Sequence, residues 1–333
     1  MSITKYAMAD LFAGGGGFHL AANKVGGIEV TYACEYKKNI AKVYEDNFGI
    51  DSFCDMYTLK DEVIKRLGIF DIVTAGFPCQ PFSSTGAQRG FDDATSGGAF
   101  KALLNFIRVS SPKAVILENV AGLTSLKKFK ETFAFIIESL EGLGYSVKWK
   151  VLRSCDFGNV QIRKRVYIVC LRDADNFVFP VGNSKAKTVG DVLCPVSELV
   201  MDDFYTQEYF DVRSRIIVEK ILCGERVGDF TWRFKGLSDS LPLLDTKISD
   251  TTKGIVFRDT RILDSWDMGE YKDRGYNKGL YRRLTLQECS KIQGYPYAYN
   301  WSSASKTLKG YIIGNSITVA VGEAVIREVV KFL

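Results

Sequence analysis

The sequence predicts an α/β protein: a mostly parallel sheet covered by helices on both faces, ending in an antiparallel strand, with a second, smaller domain of irregular structure. Three observations carry this. The first half of the 333-residue chain alternates short β-rich runs with amphipathic segments, the pattern of strand-helix-strand units. The connection ahead of the last of those strands, residues 153–164, is short, polar and glycine-containing, too little for the crossover helix that a parallel strand requires. From about Asp173 the text becomes irregular and rich in Asp, Gly, Ser and Thr, and regular patterning returns only near Tyr281.

Strands are expected at residues 6–12, 29–34, 70–75, 113–117, 146–152 and 165–171, with a further short one, third in order, just before Asp55. Helical patterns lie between them. Residues 37–48 place Ile40, Val43, Tyr44 and Phe48 on one face, and residues 126–143 do the same with Phe129, Phe133, Ile136, Ile137 and Leu140. Within the irregular part, residues 229–234 and 254–258 are β-like. Residues 317–333 form a closing amphipathic helix with Val321, Val325, Ile326, Val329 and Val330 on its apolar side, which should pack back on the first domain. The expected division is therefore a main domain of residues 1–172 and 308–333, a second domain of residues 173–280, and a return segment of residues 281–307.

Composition narrows the chemistry. With 46% hydrophobic and 25% charged residues the chain suits a globular protein, and no apolar run approaches the roughly 20 residues that a membrane-spanning helix needs. The start lacks a basic patch followed by a long apolar stretch, so a soluble, intracellular protein without a membrane partner is expected. Eight scattered cysteines with no C-x-x-C pair, and one histidine, His19, argue against a metal centre, a disulfide framework and a histidine-based triad alike. His19 is expected to pack on the first helix, and Cys155 and Cys289 to be core or helix residues rather than second nucleophiles. The net charge of +5 is unevenly spread: residues 101–171 carry 12 basic and 5 acidic groups, and residues 282–333 carry 7 and 3. Such a band suits a phosphate-binding cleft, although Lys127, Lys128 and Lys130 equally fit a solvated helix face.

Two loops carry chemistry. Asp10-Leu11-Phe12-Ala13-Gly14-Gly15-Gly16-Gly17-Phe18 stands between the first strand and first helix, where α/β sheets bind nucleotides. Glu35 ends the next strand, placed to accept ribose hydroxyls, and Asp55 follows at comparable depth. The turn alone fits a structural role, a dinucleotide or S-adenosylmethionine; with no Lys or Ser in it a P-loop is excluded, and Glu35 with Asp55 favours an adenosine-containing ligand. After the strand ending at Ala75 comes Gly76-Phe77-Pro78-Cys79-Gln80-Pro81-Phe82-Ser83-Ser84. Its two prolines would stiffen an exposed loop and hold the Cys79 sulfur outward, as a nucleophile requires. The next strand delivers Glu118-Asn119-Val120 to the same edge, where the acid either stabilises the fold or partners the cysteine.

These blocks, together with Gln161-Ile162-Arg163-Lys164-Arg165, Arg282-Arg283-Leu284-Thr285 with Glu288-Cys289, Gln293-Gly294-Tyr295-Pro296 and Gly314-Asn315-Ser316, resemble in order and spacing the DNA (cytosine-5)-methyltransferases. The resemblance leaves out residues 173–280. It implies a Rossmann-like, doubly wound catalytic domain, a variable target-recognition domain over residues 173–280, S-adenosylmethionine as methyl donor, and a cytosine flipped out of double-stranded DNA as acceptor. Cys79 matches the residue that attacks C6. Glu118 would assist at N3, and Arg163 and Arg165 resemble the arginines that hold the base, its flanking phosphate and Glu118. Phe12, Gly14, Gly16, Gly17, Glu35, Tyr36, Asp55, Met56, Pro78, Asn315 and Ser316 fall at cofactor positions. Gln80 and Ser83 fall at DNA positions, as do both arginines.

Two departures from the pattern stand out. Ala99 lies near a position where the family often has Leu, so that wall of the pocket is expected to be more open; Tyr36 stands where an indole is frequent. Base reading is expected from residues 173–280, with Arg213, Arg215, Arg233, Arg258 and Arg261 as candidates, since arginine pairs with guanine in the major groove. Tyr295, Tyr297 and Tyr299 are expected to wedge the return segment against the catalytic domain. A monomeric, cytoplasmic modification enzyme of bacterial or phage type is implied, either functionally paired with a restriction endonuclease or an orphan; a tRNA cytosine-5 methyltransferase on the same blocks is the alternative.

Overall fold

The computed structural model describes residues 5–78, 97–161, 163–172, 174–182, 189–199, 256–258 and 281–333. Six strands, β1 (Tyr6–Leu11), β2 (Ile28–Cys34), β3 (Ile72–Ala75), β4 (Ala114–Val120), β5 (Ser146–Arg153) and β6 (Lys164–Leu171), form one sheet in the order β2-β1-β3-β4-β6-β5. The first four are parallel, and β6 slots between β4 and β5 antiparallel to both. Its direction follows from the short link foreseen in the sequence: residues 154–157 make a single 3₁₀ turn, and Gly158, at φ 75°, supplies the left-handed step that reverses the chain.

Alternation along each strand sends residues to two separate cores. Ala9, Leu11, Val73, Ala75, Val115, Leu117, Val166 and Ile168 face one side, where they pack with Leu103 and Phe106 of α4 (Gly97–Ser110) and Ile136 and Leu140 of α6 (Lys130–Glu141). Met8, Ile72, Ile116, Tyr167 and Val169 face the other. They meet Phe18, Ala21 and Ala22 of α1 (Gly17–Val25) and Val321, Val325 and Ile326 of the last α-helix, Val319–Val329. Each fully buried Val, Leu, Ile, Met or Phe side chain among them contributes roughly 1.5–3 kcal/mol. The closing helix thus packs on the main domain, shorter than its apolar pattern suggests and finished by a 3₁₀ turn.

Other helices are α2 (Lys38–Phe48), α3 (Asp61–Arg66) and α5 (Gly122–Ser125); in the C-terminal region α7 (Leu286–Gln293), α8 (Lys306–Asn315) and α9 (Val319–Val329) follow in order. Thr285 and Glu288 form a reciprocal capping box that starts α7. Val256–Arg258 pairs antiparallel with Tyr281–Arg283. Residues 229–234 lie outside the described residues. One expectation fails: no strand precedes Asp55, only an isolated parallel bridge between Glu35 and Phe53, because the chain turns at once into the 3₁₀ turn Met56–Thr58 capped by Asp55 itself. Among the described residues no helix is long and apolar enough to cross a membrane.

Candidate active site

Strand register assembles the acid-base pair. Across β4 and β6, Glu118 stands opposite Tyr167 and Val120 opposite Arg165, so Glu118 and Arg165 are diagonal neighbours on one face. Arg165 Nε lies 3.1 Å from Glu118 Oε1, an ionic contact between two largely buried groups. Glu118 is buried, and burial raises its pKa above the ordinary carboxylate value, against the opposing pull of Arg165 and Arg163. A carboxyl in that state can hold a proton and still be oriented by a cation. Asn119, turned to the opposite side, donates through Nδ2 to the Phe77 carbonyl at 3.1 Å. It thereby fixes the chain one residue before Pro78, which is exposed.

Arg163 is positioned from both directions. Its amide N–H donates to Ser154 Oγ, whose hydroxyl donates to the Gln161 carbonyl, locking the turn ahead of β6. Its Nη2 donates to the carbonyls of Gly314 (3.1 Å) and Ser316 (2.8 Å) in the loop between α8 and α9. Burial pushes its pKa down to about 10, helped by repulsion from Arg165. Gln293, at the end of α7, ties the same elements together: its Nε2 donates to the Ile313 and Ser316 carbonyls, and its Oε1 accepts from Gln161 Nε2. Asn159 Nδ2 donates to the Ile292 carbonyl.

At the other end of the pocket edge, the glycine turn divides its labour. Phe12 (φ 53°), Gly14 (φ 54°) and Gly16 (φ 74°) are all left-handed. Around Gly14 there is open space, whereas a Cβ at Gly15 would strike Ile312 and Tyr295, at Gly16 the Phe48 ring, and at Gly17 Ser316 and Ile317. Three of the four glycines therefore admit close packing within the protein, and Gly14 borders open space among the described residues. Its N–H donates to Glu35 Oε2 at 3.1 Å, and Lys37 N donates to Oε1 at 2.8 Å. Burial raises the Glu35 pKa against these two donors. Beside Glu35, Tyr36 (64% exposed) and Phe53 (54%) offer open aromatic faces. Asp55 Oδ1 accepts from Tyr57 N at 3.0 Å, and Met56 is buried. Asn315 is exposed, its Nδ2 donating to the Tyr311 carbonyl, while Ser316 faces Gly17. Ala99 is buried.

Other expected residues fall elsewhere. Cys79, Gln80, Ser83, Arg213, Arg215, Arg233 and Arg261 lie outside the described residues, and Arg258 is placed only by its backbone, opposite Tyr281. Lys127 and Lys130 are exposed at the start of α6, as are Lys148 and Lys150 on β5 at the sheet edge. His19 is buried in α1, stacked on Phe48 at 3.9 Å and hydrogen-bonded to Tyr44 at 2.7 Å; burial lowers its pKa to about 4. Cys155 and Cys289 are buried. Tyr295 and Tyr299 pack with Ile40 and Val43 of α2, and Tyr299 Oη donates to the Gly15 carbonyl at 2.8 Å; Tyr297 is exposed instead. Sequence reasoning passed over Asp10 and the bracing roles of Asn119, Ser154 and Gln293. Asp10 was signalled by its polarity within an otherwise apolar strand, and Asn119 and Gln293 by their place in the blocks; Ser154 carried no signal.

The comparisons agree with this geometry. The family model described as C-5 cytosine-specific DNA methylase matches residues 6–331. The chain is 30% identical over 332 residues to the Type II methyltransferase M.Bsp6I of Bacillus sp. (strain RFL6), covering 97% of this chain and 98% of that protein. It is 31% identical over 330 residues to the Type II methyltransferase M.HhaI of Haemophilus parahaemolyticus, covering 96% and 92%. Among solved structures, S. pombe Dnmt2 methyltransferase superposes with a TM-score of 0.73 at 19% identity, covering 98% of both chains, a likeness of fold. The chain belongs to the C-5 cytosine-specific DNA methylases, enzymes that place a methyl group on C5 of cytosine in DNA.

Proposed function

We propose that this enzyme methylates cytosine within a specific duplex sequence, using S-adenosylmethionine and a transient covalent bond between Cys79 and C6 of a flipped-out base. The observation that carries the reading is the buried Glu118–Arg165 pair across β4 and β6, with Asn119 of β4 bonded to the carbonyl of Phe77, two residues before Cys79 in the chain. C5 of cytosine is a weak nucleophile. Addition of the Cys79 thiolate at C6 breaks the C5–C6 double bond and pushes electron density through the ring toward N3, where protonated Glu118 donates. The resulting enamine makes C5 nucleophilic. Once C5 carries the methyl drawn from the donor's sulfonium, loss of the C5 proton to a base, return of the N3 proton to Glu118 and expulsion of the thiolate would restore the aromatic ring and free Cys79. Reaching C6 requires taking the base out of its stack, at a cost of a few kcal/mol.

The residues around Gly14 fit an adenosine-bearing donor: a carboxylate already oriented by two backbone donors, two open aromatic faces, and a backbone position that a Cβ would leave unobstructed. When bound, S-adenosylmethionine supplies an electrophilic methyl on a sulfonium. Glu35 would take the ribose hydroxyls, Tyr36 the adenine face, and Asp55 with Met56 its edge. Sequence choice is assigned to residues 173–280, and the relatives named as Type II methyltransferases support a restriction-modification setting. A duplex carrying 5-fluorocytosine at the target should trap the enzyme irreversibly when donor is present, because fluorine cannot leave as the C5 proton does. Trapping of Cys79→Ser equal to wild type would refute the nucleophile, and methylation of tRNA in preference to duplex DNA would refute the acceptor.

A further inference from the structure

Two cysteines that this chemistry does not use sit directly behind the donor-site carboxylates. Cys34 ends β2 immediately before Glu35, and Cys54 immediately precedes Asp55. The two segments are joined by the Glu35–Phe53 bridge, with Glu35 N donating to the Ser52 carbonyl at 2.7 Å and Cys54 N to the Glu35 carbonyl at 3.2 Å. Because side chains alternate along extended backbone, both cysteines, each adjacent to a bridged residue, fall on the face opposite Glu35. There the Cys34 thiol donates to the Cys54 carbonyl at 3.2 Å, and the Tyr32 hydroxyl donates to the Cys54 sulfur at 3.4 Å. Cys34 is 2% exposed, within the core that holds Phe70 and Phe106, while Cys54 is only half-buried at its margin.

The two sulfurs are therefore unequal. Cys54 is reachable from solvent; the neighbouring Cys34 thiol and the hydrogen bond from the Tyr32 hydroxyl hold its pKa below the ordinary thiol value, while the contact with Cys54 and burial push Cys34 up. One reachable thiolate beside one protected thiol is the arrangement in which oxidation stops at a disulfide rather than climbing to sulfinic acid. Cys155 and Cys170 have no comparable partner thiol among the described residues, and burial raises both.

We infer that Cys34 and Cys54 form an oxidisable dithiol, a modification site at which a peroxide makes an intramolecular disulfide and so disturbs the donor pocket. The Cys54 thiolate attacks one peroxide oxygen; the O–O bond breaks, a sulfenic acid forms, and the departing hydroxide takes a proton to become water. Cys34 then gives up its proton and attacks the Cys54 sulfur. The S–O bond breaks, the oxygen leaves as a second water, and the S–S bond forms. Two thiols and hydrogen peroxide thus yield a disulfide and two waters, and a thiol reductant reverses the change. Bonding to Cys34 removes the S–H donor from the Cys54 carbonyl and draws the Cys54 sulfur away from Tyr32. It also pulls on Asp55, whose carboxylate caps the following 3₁₀ turn. The effect on donor binding rests on the cofactor reading given above; formation of the disulfide does not.

The test uses the full chain, first reduced, then treated with hydrogen peroxide, alkylated with iodoacetamide, digested and mapped by mass spectrometry. The expected product is a linked pair of peptides containing Cys34 and Cys54, two hydrogens lighter than the separate thiols and released by dithiothreitol. Equilibrium dialysis of the oxidised protein should show S-adenosylmethionine affinity weakened about tenfold or more. In Cys34→Ser, dimedone should label Cys54 as a sulfenic acid, no link should form, and donor affinity should no longer respond to peroxide. Phenylarsine oxide on the wild-type protein gives a second measure, since a chelating dithiol protects both cysteines together from alkylation. Both thiols remaining alkylatable after peroxide, links only between separate molecules, or a correct link with unchanged donor affinity would each overturn the inference. A reduced protein that binds no donor yet forms the link would overturn the cofactor reading and leave the dithiol standing.

Discussion

Asp10 sits in the middle of the sheet at 1% exposure, opposite Thr74 on β3, in a strand otherwise made of apolar residues. Thr74 Oγ1 donates to its Oδ1 at 2.9 Å, the nearby His19 amide favours the charged form, and Oδ2 is buried without a hydrogen-bond partner. Burial outweighs those two donors, and the carboxyl is pushed from 3.8 up to about 8. At neutral pH the folded protein therefore holds a proton on Asp10 that the unfolded chain does not. Below about pH 4 both states are protonated and the residue has no pH-dependent cost. Between about 4 and 8 the native state binds more protons than the unfolded one, so stability falls as pH rises through that window, then levels off.

Taking up that proton costs about 1.36 kcal/mol per pH unit above 3.8, which gives about 4 kcal/mol at about pH 7 as an upper bound. Asn keeps the shape and cannot ionise. Asp10→Asn should thus gain stability over wild type progressively from about pH 4 to about pH 8, by up to several kcal/mol. Urea unfolding of both proteins, followed by fluorescence of the four tryptophans in buffers across this range, measures the difference. Any fixed effect of the amide's own hydrogen bonds adds an offset without a slope. A difference that stays flat with pH, or one in which the variant loses ground on the alkaline side, would refute a proton held on Asp10.

Other outcomes follow from the same contacts. Glu35→Ala should weaken S-adenosylmethionine binding by about tenfold or more, as read by equilibrium dialysis, while duplex affinity stays nearly unchanged; equal losses in both would count against the donor-site assignment. Tyr299→Phe, which removes the donor to the Gly15 carbonyl, should lower unfolding free energy by about 1–3 kcal/mol, and an unchanged urea midpoint would show that the return segment does not brace the turn. Alanine at a true base-reading residue among Arg213, Arg215, Arg233, Arg258 and Arg261 should relax the methylated sequence at one position, with about 1–3 kcal/mol less discrimination there and little loss of bulk DNA affinity. Bisulfite maps unchanged for all five would rule out direct arginine readout from residues 173–280.

The sheet was legible because its signals are local. Ile72–Ala75 and Ala114–Val120 are apolar runs between polar links, and the brevity of residues 153–164 dictated the direction of β6. Its insertion between β4 and β5 depends on pairing between segments remote in sequence, which no local pattern records. α4 was passed over although Phe100, Leu103, Phe106 and Ile107 follow helical spacing, and the Thr285–Glu288 capping box marks α7 in the same way. At the site, Glu118 and Arg165 could be named from their blocks, but their contact needed the register. The glycines were the hardest to read: Gly15 and Gly17 are small because Tyr295, Ile312 and Ser316 come to rest against them, almost the whole chain later.

That long return has a consequence for how the enzyme is made. Gly15 waits for Tyr299, 284 residues downstream, to receive its hydrogen bond. At about 5–20 residues per second, a ribosome needs roughly 15–60 s to travel between them. Throughout that interval the turn lacks the residues that press on Gly15 and Gly17, and Arg163 lacks the carbonyls of Gly314 and Ser316 that orient it. The nascent chain can build its sheet early, yet the glycine turn and the Arg163 side of the candidate site acquire their shape together, only after residues 295–317 have been made. A message cut short before α7 would release a protein with six strands in place and no finished enzyme.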